Sequence, residues 1–170
     1  MNERNEHITH ALNTWPESAR ARLRFAAHEI GHGLAFIVHG IRPEWVRLEF
    51  GLFGGLNGGR CRISESEPNP GTPPEQVEAW LIGALAGHAA ETRFGQLYLD
   101  LDDQHAHQWG AQGAAKDYDN FHRLRTTHRV RLSEQRAYQR AAALIERNGL
   151  RVDHLTFRLA RARQLAGHAL

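Results

Sequence analysis

The chain has 170 residues, 41% of them hydrophobic and 24% charged, a balance that suits a globular domain and excludes a disordered or fibrous chain. No apolar run approaches the roughly 18–20 residues that a bilayer span needs, and the single Cys61 excludes an internal disulfide and fits a reducing compartment. The net charge of +2 hides an asymmetry: residues 1–120 hold 10 basic and 16 acidic side chains, net −6, whereas residues 121–170 hold 11 and 3, net +8.

The opening residues Met1-Asn2-Glu3-Arg4-Asn5-Glu6 lack the basic start and apolar centre of a secretory signal, so a cytoplasmic protein is expected. Thr14-Trp15-Pro16-Glu17 has the form of a capping box with a proline early in the first turn. It predicts a helix that runs toward His39 and stops at Gly40, with Pro43 beyond. Trp45 to Phe50 alternates with period two and predicts a strand. Five glycines between Gly51 and Gly59 predict a flexible turn, and Arg60 to Ile63 a returning strand. Ser64 to Pro74 is a Pro-rich loop ending in a second capping box, Thr72-Pro73-Pro74-Glu75. The helix that follows covers Val77 to Glu91 and is expected to end by Gly95. Its Gly83, Ala86, Gly87 and Ala90 imply close packing against a neighbouring helix, because a glycine inside a helix costs about 1 kcal/mol relative to alanine. Residues 96–112 form a polar connection. Gly113 to Val130, Ser133 to Asn148 and Val152 to Leu165 predict three more helices, with Gly149 and Gly167 as stops. The expected fold class is mainly α with a small β-hairpin or sheet, as one domain over residues 1–170, its core in 14–131 and basic helices in 132–166.

The basic helices carry no interleaved aromatic stripe for base stacking, so nucleic acid is not an expected partner. They are a solvated set of faces and the candidate surface for self-association or for a partner chain.

The chemistry concentrates in the first long helix. His28-Glu29-Ile30-Gly31-His32 matches H-E-x-x-H, in which two histidines four apart lie on one helical face. Both can offer a ring nitrogen to one zinc ion at about 2.0–2.1 Å. Glu29, directly after the first of them, reaches a water on that metal without ligating it and is the candidate catalytic base. Glu29 also sits between two histidines in an apolar helix, Phe25-Ala26-Ala27 before it and Leu34 to Val38 after, where an acid is rarely buried unless paired or linked to a metal. A catalytic zinc needs a third protein ligand and one open position. Asp117, Glu91, His88, His105 and His107 are the candidates, and spacing alone does not choose among them.

From about Phe25 to Arg125 three motifs, in order, resemble the peptidase domain of the FtsH family of ATP-dependent zinc metalloproteases. Ala27-His28-Glu29-Ile30-Gly31-His32 resembles that family's A-H-E-x-G-H helix. Gly87-His88-Ala89-Ala90-Glu91, with Phe94-Gly95 after it, resembles its G-R-A-A-E…F-G segment, with His88 in place of the usual arginine. Gly113-Ala114-Ala115-Lys116-Asp117 resembles its G-A-x-x-D motif. The resemblance implies an FtsH peptidase-like helical zincin domain, with Asp117 as the third zinc ligand beside His28 and His32. Glu91 is then the second choice for that ligand, or else accepts a hydrogen bond from a ligating imidazole. The family's membrane anchor and ATPase module do not lie in this sequence, and the connection before Gly113 is longer than the family pattern.

The expectation is therefore a zinc-dependent endopeptidase that hydrolyses flexible or unfolded protein segments, without ATP unless a motor is supplied by another chain. Two alternatives stand beside it. One is a regulatory peptidase of the ImmA/IrrE type that cleaves a single partner, although its expected A-N-x-F-A segment is replaced here by Ala84-Leu85-Ala86-Gly87-His88-Ala89-Ala90. The other is a non-catalytic binding module that retains a structural zinc and fills its fourth position with protein. For the peptidase, the strand Trp45 to Phe50, or its return at Arg60 to Ile63, is the expected edge onto which an extended substrate adds as a further strand.

Overall fold

The computed structural model describes residues 4–170; residues 1–3, part of the stretch read above for a secretory signal, lie outside them. The chain is mainly helical, with a small three-stranded antiparallel sheet. In order come α1 (Glu6–Thr14), α2 (Glu17–Val38), β1 (Pro43–Phe50), β2 (Leu56–Ile63), α3 (Pro74–Tyr98), α4 (Asp103–Ala111), α5 (Ala115–Thr127), α6 (Glu134–Arg147), α7 (Gly149–Ala162) and β3 (Gln164–Ala166). Among the described residues no helix is long and apolar enough to cross a membrane.

Two long helices form the centre. α2 is buried from Ala26 through Phe36 and α3 from Leu81 through Gly95, and each packs mainly on the other. Their seam is made of small residues. A Cβ on Gly31 would meet the Ala86 carbonyl and lie 2.7 Å from Ala90 Cβ, so the two backbones come closer than any side chain allows. The small residues of α3 thus have the packing role that their cost in helix stability implied. α6 packs on α3 and α7 on α2, and both are amphipathic, burying Ala137, Ala141, Leu144 and Ile145 and Val152, Leu155 and Leu159 respectively.

The sheet lies against α2 in the order β2-β1-β3. β1 pairs with β2 along its length, from Pro43↔Ile63 to Phe50↔Leu56, and with β3 through Trp45↔Ala166, Val46↔Leu165 and Arg47↔Gln164. β1 is therefore central, with both edges taken, and cannot receive a substrate strand. Of the two expected strands, β2 is the outer one and has an edge to offer.

Several local expectations are corrected. Thr14 ends α1, its hydroxyl donating to the His10 carbonyl, so the first capping box does not form; Pro16 occupies the N-cap of α2 with no side-chain cap. The second box fails in the same way. The Thr72 hydroxyl accepts from the Asn69 N–H, closing a turn inside the loop, and Pro73 takes the N-cap. α3 runs past Gly95 to Tyr98, because Gly95 makes a close approach to Leu101 and Trp109 rather than a stop. Asp100, at a left-handed φ of 53°, turns the chain instead. The polar connection 96–112 contains a helix, α4, capped by the Asp102 side chain on the His105 N–H at 2.9 Å. α7 ends at Ala162, where Arg163 is left-handed with φ 66°, and Leu165 belongs to a strand.

Candidate metal centre

α2 presents His28 and His32 on the face turned toward α3 and α5, their rings edge to face. Their Nε2 atoms lie 2.9 Å apart. Asp117, in the first turn of α5, brings one carboxylate oxygen to 3.1 Å from His28 Nε2 and the other to 3.5 Å from His32 Nε2. These three residues form the one group able to hold a metal ion among the described residues. Donors on one face of a tetrahedral zinc site, with bonds of about 2.0–2.1 Å, stand roughly 3.3 Å apart, and the three edges here bracket that value.

The far side of each ring is also held. His32 Nδ1 donates to the Gly83 carbonyl at 2.8 Å, which fixes the tautomer that leaves Nε2 free as a ligand. His28 Nδ1 lies 3.0 Å from Glu91 Oε1. Glu91 thus sits behind His28, on the side away from the Nε2 triangle. Its second oxygen accepts from Arg24 Nε at 2.8 Å. Gly87 of α3 forms the floor: a Cβ there would stand 2.5 Å from His32 Nε2 and 2.8 Å from His28 Nε2, so only a bare backbone fits under the two rings.

The electrostatics favour a cation at this spot. Burial would lower His28, yet Asp117 and Glu91 overcome it and raise the imidazole to about 10. His32 is raised likewise, Asp117 outweighing burial. Burial would raise Asp117, but the two imidazoles hold its carboxyl well below the usual carboxylate range. Positive charge is therefore drawn onto buried rings that would otherwise be neutral, and a divalent ion with an aspartate and two imidazoles satisfies the same field. Donor types, spacing and field all fit zinc.

Glu29 projects from α2 to the other side of the histidines. Its carboxyl lies against β2, where a Cβ on Gly59 would come within 2.8 Å of Glu29 Oε1. Burial pushes its carboxyl up, with His28 and His32 pulling back. Glu29, both histidines and Asp117 all line one cleft of about 740 Å³, whose other wall is the outer strand from Asn57 to Ile63. Its apolar end is made by Phe36, Trp80 and Ala84. Cys61 lines the same wall half-buried, its thiol pushed up by burial.

The remaining candidates lie elsewhere. His88 of α3 is fully buried, between the Tyr118 hydroxyl at 2.7 Å and the His107 carbonyl at 2.9 Å. Nε2 must donate to that carbonyl, so Nδ1 accepts from Tyr118, and burial holds the ring neutral with its pKa down at about 4. His107 is exposed beside it, and His105 is an exposed partner of Asp102 at 2.7 Å. The sequence reading missed Arg24 and Gly59. Arg24 had a signal, since it precedes His28 by one helical turn on the metal-facing side; Gly59 had none, because its role depends on the hairpin folding back onto α2. No protein-family model matches this chain, and no curated protein matches it.

Proposed function

We propose that this protein is a zinc-dependent endopeptidase acting on flexible or unfolded protein segments, with His28, His32 and Asp117 as ligands and Glu29 as catalytic base. The observation that carries this reading is the triangle of His28, His32 and Asp117 donor atoms with Glu29 beside it in one open cleft. The three ordered motifs shared with FtsH-type peptidases support the same assignment. A fourth protein donor, which a purely structural zinc would have, is not part of the group among the described residues. That favours an enzyme over a binding module.

Zinc bound there supplies Lewis acidity, acidifying water toward neutral pH and polarising a carbonyl. The protein's residues do the rest. Glu29 accepts the proton of the attacking water and returns it to the departing amine; burial raises its affinity for that proton. The outer edge of β2 offers backbone donors and acceptors to an extended chain. Recognition through backbone demands a segment without its own secondary structure, hence flexible or unfolded substrates. Phe36, Trp80 and Ala84 beyond His32 then favour an apolar side chain next to the scissile bond.

Glu29→Gln keeps shape and hydrogen bonding but cannot take the proton. It should hold zinc as the wild type does and lose at least about 100-fold in cleavage of unfolded casein, the lower range for general-base catalysis. Chelation should abolish wild-type cleavage and added zinc restore it. Undiminished turnover by Glu29→Gln would refute the base assignment.

A further inference from the structure

We infer that Arg24 is the positioning residue of this metal centre, fixing Glu91 behind His28, and that α4 is the brace that holds Arg24 in place. The inference rests on the metal reading of His28, His32 and Asp117.

Arg24, His28 and His32 are spaced four residues apart on α2 and share one face of it. The guanidinium makes three contacts. Its Nε donates to Glu91 Oε2 at 2.8 Å, a terminal nitrogen donates to the Trp109 backbone carbonyl at 2.9 Å, and the carbon at its centre lies 4.2 Å over the Trp109 ring. The last two come from α4. Stacking on an indole and a planar fork shared between two acceptors fix the guanidinium as an ammonium could not be fixed.

Glu91 needs that fixing. It is only 1% exposed, and a buried carboxylate without a cation is unstable. One of its oxygens is tied to Arg24, which leaves the other 3.0 Å from His28 Nδ1. This ion-pair contact lies on the side of the ring opposite Nε2, which faces Asp117. It also holds Glu91 off the Nε2 side, where its carboxylate would compete for the position a water must occupy. α4 also reaches α3, the helix of Glu91, through the His107 carbonyl that accepts from His88. α4 therefore braces both central helices, α2 at Arg24 and α3 at His88.

The test is zinc affinity, measured by chelator competition on the full chain, with melting followed by circular dichroism to verify folding. Arg24→Met preserves length and apolar stem and removes the charge and both donors. It should weaken zinc by at least about tenfold, as loss of an outer-shell partner typically does. Glu91→Gln should weaken it comparably, and adding Arg24→Met to Glu91→Gln should cost little more, because the arginine acts through that carboxylate. Wild-type affinity in Arg24→Met, or two losses that simply add, would overturn the inference. Should Arg24→Met fail to fold, Arg24→Lys replaces it: an ammonium has neither the planar fork nor the stacking on Trp109 that fix the guanidinium, so zinc should weaken about threefold or more, and unchanged affinity overturns the inference equally. A wild-type chain that binds no zinc sinks the metal reading and this one together. A chain that binds zinc but cleaves nothing sinks the peptidase reading alone.

Discussion

Asp117 and Glu91 are both acids within reach of His28, and their placement gives them different work. Asp117 meets the Nε2 atoms of both histidines, while Glu91 meets only the outer nitrogen of one. Asp117→Ala should therefore leave zinc well below one ion per chain by native mass spectrometry. Glu91→Gln should keep the stoichiometry and lose affinity. Full metal in Asp117→Ala would hand the ligand position to Glu91. At this scale the histidine pair and Glu29 were legible because a single helical turn fixes their geometry wherever the helix sits. Nothing local decides between the two acids, since each reaches the site from a different helix.

Between elements, the seam of α2 and α3 carries the site. Gly31 lets α3 approach until its Ala86 carbonyl and Ala90 methyl touch the α2 backbone, and Gly87 opposite leaves room for the two imidazoles. A methyl on Gly31 would strike backbone, which cannot step aside as a flexible side chain can. Overpacking of this kind costs about 1–3 kcal/mol, against up to about 1 kcal/mol returned by better helix propensity. Gly31→Ala should therefore melt several degrees below the wild type; a melting point held or raised would show that the helices have slack at their seam. The long helices and β1 were readable because their apolar patterns are periodic; β2 was read only from Arg60 to Ile63, because the glycines in its first half read as part of the turn. α1, α4 and β3 were not, and for one reason. Each is short and buries few residues, Ile8 and Ala11 in α1 and Ala106 and Gly110 in α4, so too little apolar pattern remains to mark it. The two capping boxes failed because Thr14 and Thr72 found nearer backbone partners.

For the molecule as a whole, His88 links folding to pH. Its imidazole is buried and neutral in the folded chain with a pKa of about 4, against an ordinary value of 6.5. Above pH 6.5 neither state protonates it, and its contribution is constant. As pH falls from 6.5 toward 4 the unfolded chain takes up a proton that the folded one refuses, so stability declines. Below about 4 both states are protonated and the loss is complete. The difference corresponds to roughly 3 kcal/mol at most. His88→Gln can still donate to the His107 carbonyl and accept from Tyr118 but has no proton to gain, so its melting temperature should fall less steeply across that window. A pH profile parallel to that of the wild type would show that the histidine does not carry the effect.

The sequence by itself determined a mainly helical chain with one small hairpin and placed two histidines and a glutamate at one point on a helix. Those properties follow from backbone periodicity, which any stretch of chain carries with it. Only the tertiary structure decided that Asp117 closes the triangle while Glu91 stands behind it on Arg24, that β1 is the inner strand and β2 an outer one, and that an unforeseen α4 packs against Arg24 and His88. Each of these is a meeting of segments far apart in the chain. Such meetings are settled by which surfaces pack together, a property that no single segment possesses.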